Sequence, residues 1–202
     1  MYYLLDFSIV DEKKDMRLRG IIYNKDQVVV NGIFDKGNLL KEKEIGAPFV
    51  IILDEKASSI KNRKQNDKIS ISVEEAGFLF LVSLHVQGLF EKLKVGNVQY
   101  FDVAIKGSGL KIDDYKIINI VDRIDCIDYD ASDIEYNTDG GINGIDSLVL
   151  KVDNIPKNKE LFLLGGRTKG IIVASKKLKD AIEHGGLTGF QFIELENAGA
   201  IY

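Results

Sequence analysis

The 202-residue chain is poor in the residues that build most active sites. It has one cysteine, Cys126, which excludes a disulfide framework and a cysteine-built zinc site. Two histidines, His85 and His184, leave too little for a histidine-rich metal centre. It lacks a basic excess: 27 Lys and Arg stand against 31 Asp and Glu, a net charge of -4. A dedicated nucleic-acid binder carries surplus cations instead. It lacks a long apolar run as well. The longest candidate, Ala76 to Val86, falls short of the roughly 18 to 20 residues that cross a bilayer, and it contains Ser83 and His85. Met1 to Asp11 shows no basic residues ahead of its apolar run and no small-residue cleavage site behind it. It does not read as a signal peptide, and the expected compartment is the cytoplasm. No Gly-x-Ser-x-Gly elbow, His-Glu-x-x-His helix or dinucleotide fingerprint is present, and no cofactor or metal is expected. What the chain does have is apolar content, 45 % of its residues. That is enough for a proper core and too much for disorder.

The first third reads as strands. Tyr2 to Val10, Leu18 to Tyr23, Gln27 to Phe34 and Phe49 to Asp54 are short runs rich in Val, Ile, Tyr and Phe, separated by turn residues. Asn24-Lys25-Asp26 suggests a hairpin. Pro48 stands just before a run, where a missing N–H costs least. Lys56 to Lys68 is polar, with Lys56, Lys61, Arg63, Lys64 and Lys68 against Asp67 alone. It reads as a solvated surface loop, or else a basic contact patch, that closes a strand-rich N-terminal subdomain over residues 1–68.

Residues 69–202 contain a repeat at an offset of 92 positions. Ser83, Val86, Phe90 and Val95 fall on Ser175, Leu178, Ile182 and Leu187, and Val98 to Val103 falls on Phe190 to Leu195. Each copy, 83–103 and 175–195, reads as a Ser-capped helix, a turn and a strand, preceded by an apolar run. The serine oxygen accepts an orphan N–H of the first turn. Val86, Leu89, Phe90 and Leu93 share one helical face, as do Leu178, Ala181 and Ile182. Gly96 and Gly185-Gly186 stand where a helix end favours a left-handed residue. The expected fold is therefore α+β: a strand-rich N-terminal part followed by a mixed part with a duplicated strand–helix–strand unit. Further strands are expected at Tyr115 to Val121, Ser147 to Val152 and Leu161 to Leu164.

Charge is concentrated in one place. From Asp122 to Asp153 there are nine carboxylates and two bases, Arg123 and Lys151, for a local charge of -7 against +3 elsewhere. A calcium loop counted from Asp128 fails, because its sixth residue is Asp133 and its twelfth is Asp139, where Gly and Glu are needed. A metal-dependent phosphate hydrolase would need carboxylates converging from separate elements. A negative contact surface would steer and hold a basic partner. A plain solvated turn region is the fourth reading. Were Ile124 to Tyr129 a strand, its alternate residues would turn inward. Gly165-Gly166-Arg167-Thr168-Lys169-Gly170 lacks the spacing of a phosphate loop and reads as a turn before a strand. His85 reads as partly buried and His184 as a helix-end residue. Cys126 reads as a buried structural thiol, with no neighbour in sequence to activate it except Arg123.

Two blocks carry a resemblance. Tyr115-Lys116-Ile117-Ile118-Asn119-Ile120-Val121-Asp122 runs on through Asp125, Asp128 and Ser132. Ile172 to Glu183 leads into Gly186-Leu187-Thr188-Gly189-Phe190-Gln191-Phe192. Together they resemble immunity family eleven of bacterial polymorphic toxin systems, over roughly Val73 to Leu195; the first third matches no pattern. The resemblance implies an α+β protein made beside a toxin gene, without catalytic residues, whose partner is the cognate toxin. Such toxins are commonly delivered by contact-dependent secretion, type VI systems included, and many are nucleases. The resemblance implies structural roles for Ser175, Gly189, Phe190 and Phe192, and the repeat gives Ser83 the same structural role as Ser175. The charge balance and the lack of a long apolar run argue for no nucleic-acid and no membrane partner. The expected contact residues are Asp125, Asp128, Asp130, Asp133 and Glu135. Two other functions remain open: a phosphate hydrolase using Asp122 to Asp139, and a secretion adaptor or chaperone for an effector.

Overall fold

A computed structural model describes residues 1–6, 18–25, 27–29, 33–34, 36–41, 45, 48–54, 65–73, 77–107, 114–166, 168 and 170–200. Lys56, Lys61, Arg63 and Lys64 lie outside the described residues, as do Arg167 and Lys169. The chain runs β1 (Tyr2–Asp6), β2 (Leu18–Asn24), β3 (Gln27–Val28), β4 (Phe49–Leu53), β5 (Lys68–Val73), β6 (Gly77–Ser83) and α1 (Leu84–Lys92). It continues as β7 (Val98–Lys106), β8 (Tyr115–Ile120), β9 (Arg123–Ile124), β10 (Asp133–Tyr136) and β11 (Ile142–Ser147). β12 (Leu161–Leu164), β13 (Ile172–Ser175), α2 (Lys176–His184) and β14 (Gln191–Ile193) complete it, with 3-10 turns at Val152–Asn154 and Leu195–Ala200. The fold is α+β.

Strands β2, β4, β7, β8, β6 and β5 are neighbours in that order, and β5 pairs back to β2, so the ring closes into a barrel. β3 is a short hairpin partner on β2, with Tyr23 opposite Val28 and Asn24 opposite Gln27. Lys25, at φ +48, makes the turn. The strand expected over Gln27 to Phe34 is shorter than the pattern suggested. Ile33 and Phe34 form a turn because Phe34 is drawn onto the barrel, edge-to-face with Phe49 at 5.5 Å and tilted against Phe101 at 6.2 Å.

A second sheet has the order β14-β1-β13-β12-β9. Its middle is the reason the apolar runs look continuous in sequence. Leu5, Leu161, Leu163, Ile172 and Ala174 face the barrel side together with Val86 and Phe90 of α1 and Leu178 and Ile182 of α2. Leu4, Phe162, Leu164 and Val173 face the other way, against Cys126, Ile127, Ile145 and Leu148. The same alternation splits the barrel wall. Leu79, Leu81 and Ile117 point inside, while Phe80, Val82, Ile118 and Ile120 pack on the second sheet. Strands buried on both faces carry no polar alternation. Each such Leu, Ile or Phe contributes about 1.5–3 kcal/mol.

The two helices are seated alike. Val86 N–H donates to Ser83 Oγ (3.4 Å) and Leu178 N–H to Ser175 Oγ (3.1 Å). Each serine hydroxyl in turn donates to a carboxylate, Ser83 to Asp67 (2.9 Å) and Ser175 to Glu160. The carbonyls of those same residues accept the serine N–H groups, at 2.7 and 2.8 Å. After each helix, Val95 N–H donates to Phe90 O and Leu187 N–H to Ile182 O. The left-handed residue that ends α1 is Lys94, not Gly96; in α2 it is Gly186, as the Gly-Gly pair suggested. In both units a strand lies between the two strands that flank the helix: β8 between β6 and β7, β1 between β13 and β14.

Pairing runs across residue 68. β1 is hydrogen-bonded to β13 and β14, and β2 and β4 are bonded to β5 and β7. Lys68 itself is not part of a solvated loop. It opens β5 at 3 % exposure, because its backbone N–H is held by Thr188 O at 3.0 Å and its side chain is folded under β1.

Candidate functional site

The acidic stretch begins where β9 leaves the second sheet. β9 is two residues long and parallel to β12, so the strand that would have turned alternate carboxylates inward ends at Ile124. Cys126 and Ile127 then plunge into the core beneath the sheet, and Ile127 bridges Leu150. Burial pushes the Cys126 thiol up to about 11, with Asp125 adding to the effect, which makes it a poor nucleophile. From Asp128 the chain turns back over the surface. Asp128 N–H donates to Val149 O (2.9 Å) and Ser132 N–H donates to Asp128 O (2.9 Å). Ser132 Oγ accepts from Val149 N–H (2.9 Å) and donates to Val149 O (3.3 Å). The strand expected over Ser147 to Val152 therefore does not form as one: Ser147 ends β11, and beyond it only Leu150 makes a bridge. The serine and the Asp128 amide occupy the backbone groups that a partner strand would need.

β10 and β11 then form a hairpin with bulges, closed by Asn137. Its side-chain oxygen accepts from Asp139 N–H (3.1 Å) and Gly141 N–H (2.7 Å), an Asx-type turn, and Gly140 takes φ +71. Ile134 packs on the lower core, so Asp133 and Glu135 point outward.

The five expected contact carboxylates follow one another along this turn and the first strand of the hairpin. Asp125, Asp130, Asp133 and Glu135 are exposed, and Asp128 is half-buried. Compensation sits at the margin: Lys159 Nζ reaches Asp122 at 2.5 Å and Lys151 Nζ is 3.6 Å from Asp128. Among the described residues no ion pair reaches Asp125, Asp130, Asp133 or Glu135. Interleaved with them are large apolar groups in water: Tyr129, Tyr136, Val149 and Val152, the last two at 39 % and 58 % exposure. Sequence reasoning missed these four. The only signal was an aromatic or branched residue beside each acid, which a buried strand would show equally well. Nor do the carboxylates converge: among the described residues no three His, Cys, Asp or Glu side chains could hold a metal ion.

The remaining residues singled out in sequence lie away from the acidic stretch or beneath it. Ser83 and Ser175 are the helix caps described above. Gly189 takes φ +87, and a Cβ there would collide with the Lys68 carbonyl and come within 2.9 Å of Asn66 Cβ. Phe190 precedes β14 and stacks on Phe192, centroids 6.4 Å apart. His85 is not partly buried. It sits on the outer face of the first turn of α1 with its side chain 85 % exposed, 3.6 Å from Asp67. His184 ends α2, its Nδ1 2.6 Å from Asp180 O. β12 and β13, on either side of the Gly165 to Gly170 segment, pair antiparallel; of its described residues, Gly166 and Gly170 are left-handed and Thr168 Oγ1 donates to Leu164 O at 2.8 Å.

The most informative group the sequence hid is Asp67. It accepts from Ser83 Oγ, from Thr188 N–H (3.0 Å) and from Thr188 Oγ1 (3.0 Å). Burial raises its pKa, but these hydrogen bonds outweigh that and hold it below the ordinary carboxylate value. It locks the start of β5 to the cap of α1 and to the loop after α2.

No helix among the described residues is long and apolar enough to cross a membrane. A comparison with curated proteins finds no match. The model of one protein family matches residues 33–197, which takes in the barrel from the Ile33–Phe34 turn onward, both helices and the whole acidic surface. That span reaches well ahead of the blocks at Tyr115 and Ile172, and on it the chain belongs to the Immunity protein family (Imm11).

Proposed function

We propose that this protein binds and neutralises the cognate toxin of a bacterial polymorphic toxin system, in the cytoplasm of the producing cell, by occluding the toxin's active site and without catalysis of its own. Family membership supports the immunity role. The acidic surface supports the mode. Its carboxylates stand on a braced turn and hairpin that also carries the exposed Tyr129 and Tyr136; tyrosines are enriched at interface centres, and the carboxylates would steer and orient a basic partner. A nuclease must gather cations to hold phosphates, so carboxylates spaced along a surface can stand in for the phosphate array. The proposed toxin is accordingly a nuclease, delivered by a type VI or another contact-dependent system. We also read the two strand–Ser–helix–strand units as copies of one duplicated unit. Their matching carboxylate–serine caps support that.

The observation that carries the contact surface is the row Asp125, Asp130, Asp133 and Glu135, exposed and without an ion pair among the described residues. Calorimetry with the purified toxin domain encoded beside this gene tests it. The triple variant Asp128→Asn, Asp130→Asn, Asp133→Asn is expected to weaken binding by about tenfold or more at low salt and to flatten its salt dependence. Unchanged affinity and salt slope would remove this surface from the reading. Failure of the unaltered protein to protect cells from the toxin would remove the immunity role itself.

A further inference from the structure

One end of the barrel is closed by side-chain amides and a strap of backbone. Phe101 on β7 and Ile117 on β8 stand opposite each other and pack in the barrel core. Two residues along, on the same inner face, Gln99 stands opposite Asn119. Asn119 is fully buried, and a buried amide is costly unless it is hydrogen-bonded. The backbone of residues 38–40 supplies partners. Asn119 Nδ2 donates to Asn38 O (2.9 Å) and to Gln99 Oε1 (2.9 Å). Gln99 Nε2 donates to Leu40 O (2.8 Å), and Gln99 Oε1 accepts from Leu40 N–H (2.9 Å). The glutamine side chain thus holds both backbone groups of Leu40, as a neighbouring strand would.

Little else holds this segment. Lys36, Asn38, Leu39 and Lys41 are exposed, Leu39 at 63 %, and of its side chains Leu40 alone turns onto the core, half-buried. No strand among the described residues pairs with it. The latch is also incomplete, because Asn119 Oδ1 is buried with no hydrogen-bond partner. Opening would admit water to that oxygen, so the closed form carries a penalty that the open form does not. At Gly37 the fit is close: φ is +70, and a Cβ would lie 2.6 Å from Arg123 Cγ and 3.2 Å from Arg123 N. Arg123 begins β9, at the root of the acidic stretch. A segment that buries so little, and whose backbone is held by side chains, opens at a lower free energy than the ladders beneath it.

We propose that residues 36–41 form a strap that opens and closes over the barrel end as a unit, with Gln99 and Asn119 as its latch, while β7 and β8 stay paired. Opening lifts Gly37 off Arg123 and exposes the two amides at the barrel mouth. The inference does not rest on the toxin reading, and its test contains no toxin. Amide hydrogen exchange of the full chain, followed by NMR at several low urea concentrations, reads the opening directly. The Leu40 amide is expected to exchange about 100-fold or more faster than those of Ile117 and Ile118, which lie inside the β8 ladders, yet about tenfold or more slower than an unprotected peptide. Its rate should depend little on urea, because a local opening exposes little surface. Gln99→Met keeps the straight chain and removes the latch, and should speed Leu40 exchange by about tenfold or more. Gly37→Ala touches neither amide and should also speed it, by forcing the strap off Arg123, with Ile117 and Ile118 unchanged within about twofold. A Leu40 amide that exchanges in step with Ile117 and Ile118, one with no protection, or one whose rate either variant leaves unchanged would each overturn it.

Discussion

Replacing Lys68 by methionine should stabilise this protein at neutral pH. The ammonium is 3 % exposed and lies at the seam between barrel and sheet, with Nζ donating to Asp6 O (3.2 Å) and Ser70 Oγ (3.4 Å) and sitting 4.7 Å above the Phe80 ring. Desolvation dominates; the Asp6 charge offsets only part of it, and the pKa is pushed down from 10.5 to about 8. The folded state therefore releases this proton more readily than the unfolded chain does. Between about pH 8 and pH 10.5 the unfolded chain holds the extra proton, so stability contributed by this site rises with pH through that window. At about 1.4 kcal/mol per pH unit, the displacement corresponds to about 3 kcal/mol, borne in full at pH 7 and relieved by pH 10.5. Methionine keeps the straight chain and removes the charge. Urea unfolding of both proteins at pH 7 and pH 10 isolates the site, because every other group cancels in the difference. Lys68→Met should be the more stable at pH 7 by up to about 3 kcal/mol, with the advantage shrinking toward pH 10. An advantage that is absent at pH 7, or that does not shrink, would refute the reasoning and show that the hydrogen bonds and ring contact outweigh desolvation.

Two further outcomes follow from the scaffold. Ser83→Ala and Ser175→Ala should each cost about 1 kcal/mol for the lost cap in thermal unfolding. Ser175→Ala should cost more, because it also strips a donor from Glu160, 8 % exposed, whose other side-chain donor among the described residues is Lys177 (2.7 Å). Equal losses would show that the carboxylate end of the relay is idle. Gly189→Ala should cost about 3 kcal/mol, since it combines a left-handed backbone with a collision at the Lys68 carbonyl. A loss under about half of that would mean that the loop after α2 can move off β5.

Some of this was legible locally. A serine followed by apolar residues at helical spacing specifies a capped helix whatever surrounds it, and both caps stand where the pattern put them. Asn137 two residues before Asp139 and four before Gly141 specifies its own turn, because its side chain closes the hydrogen bonds itself. Where a residue's neighbours are distant in sequence, the pattern misled. Ile33 and Phe34 continue a strand by composition but are pulled into the barrel by Phe49 and Phe101. His85 looked buried beside apolar residues, yet it falls on the outer side of its helix.

The residues alone determined the classes of element, the two helices and their caps, the concentration of negative charge and the kinship that its last block carries. These depend on groups within a few positions of one another or on the residue string itself. Only the tertiary structure decided that the first strands are shared between a closed barrel and a second sheet, because pairing joins segments far apart in the chain, as in Tyr2 with Ser175. It alone buried Lys68, joined Asp67 to Ser83 and Thr188, and left Tyr129, Tyr136 and Ile52 in water. An apolar strand residue reads the same in sequence whether its outer face meets a second sheet, a partner or solvent, and burial is set by what the rest of the chain brings to that face.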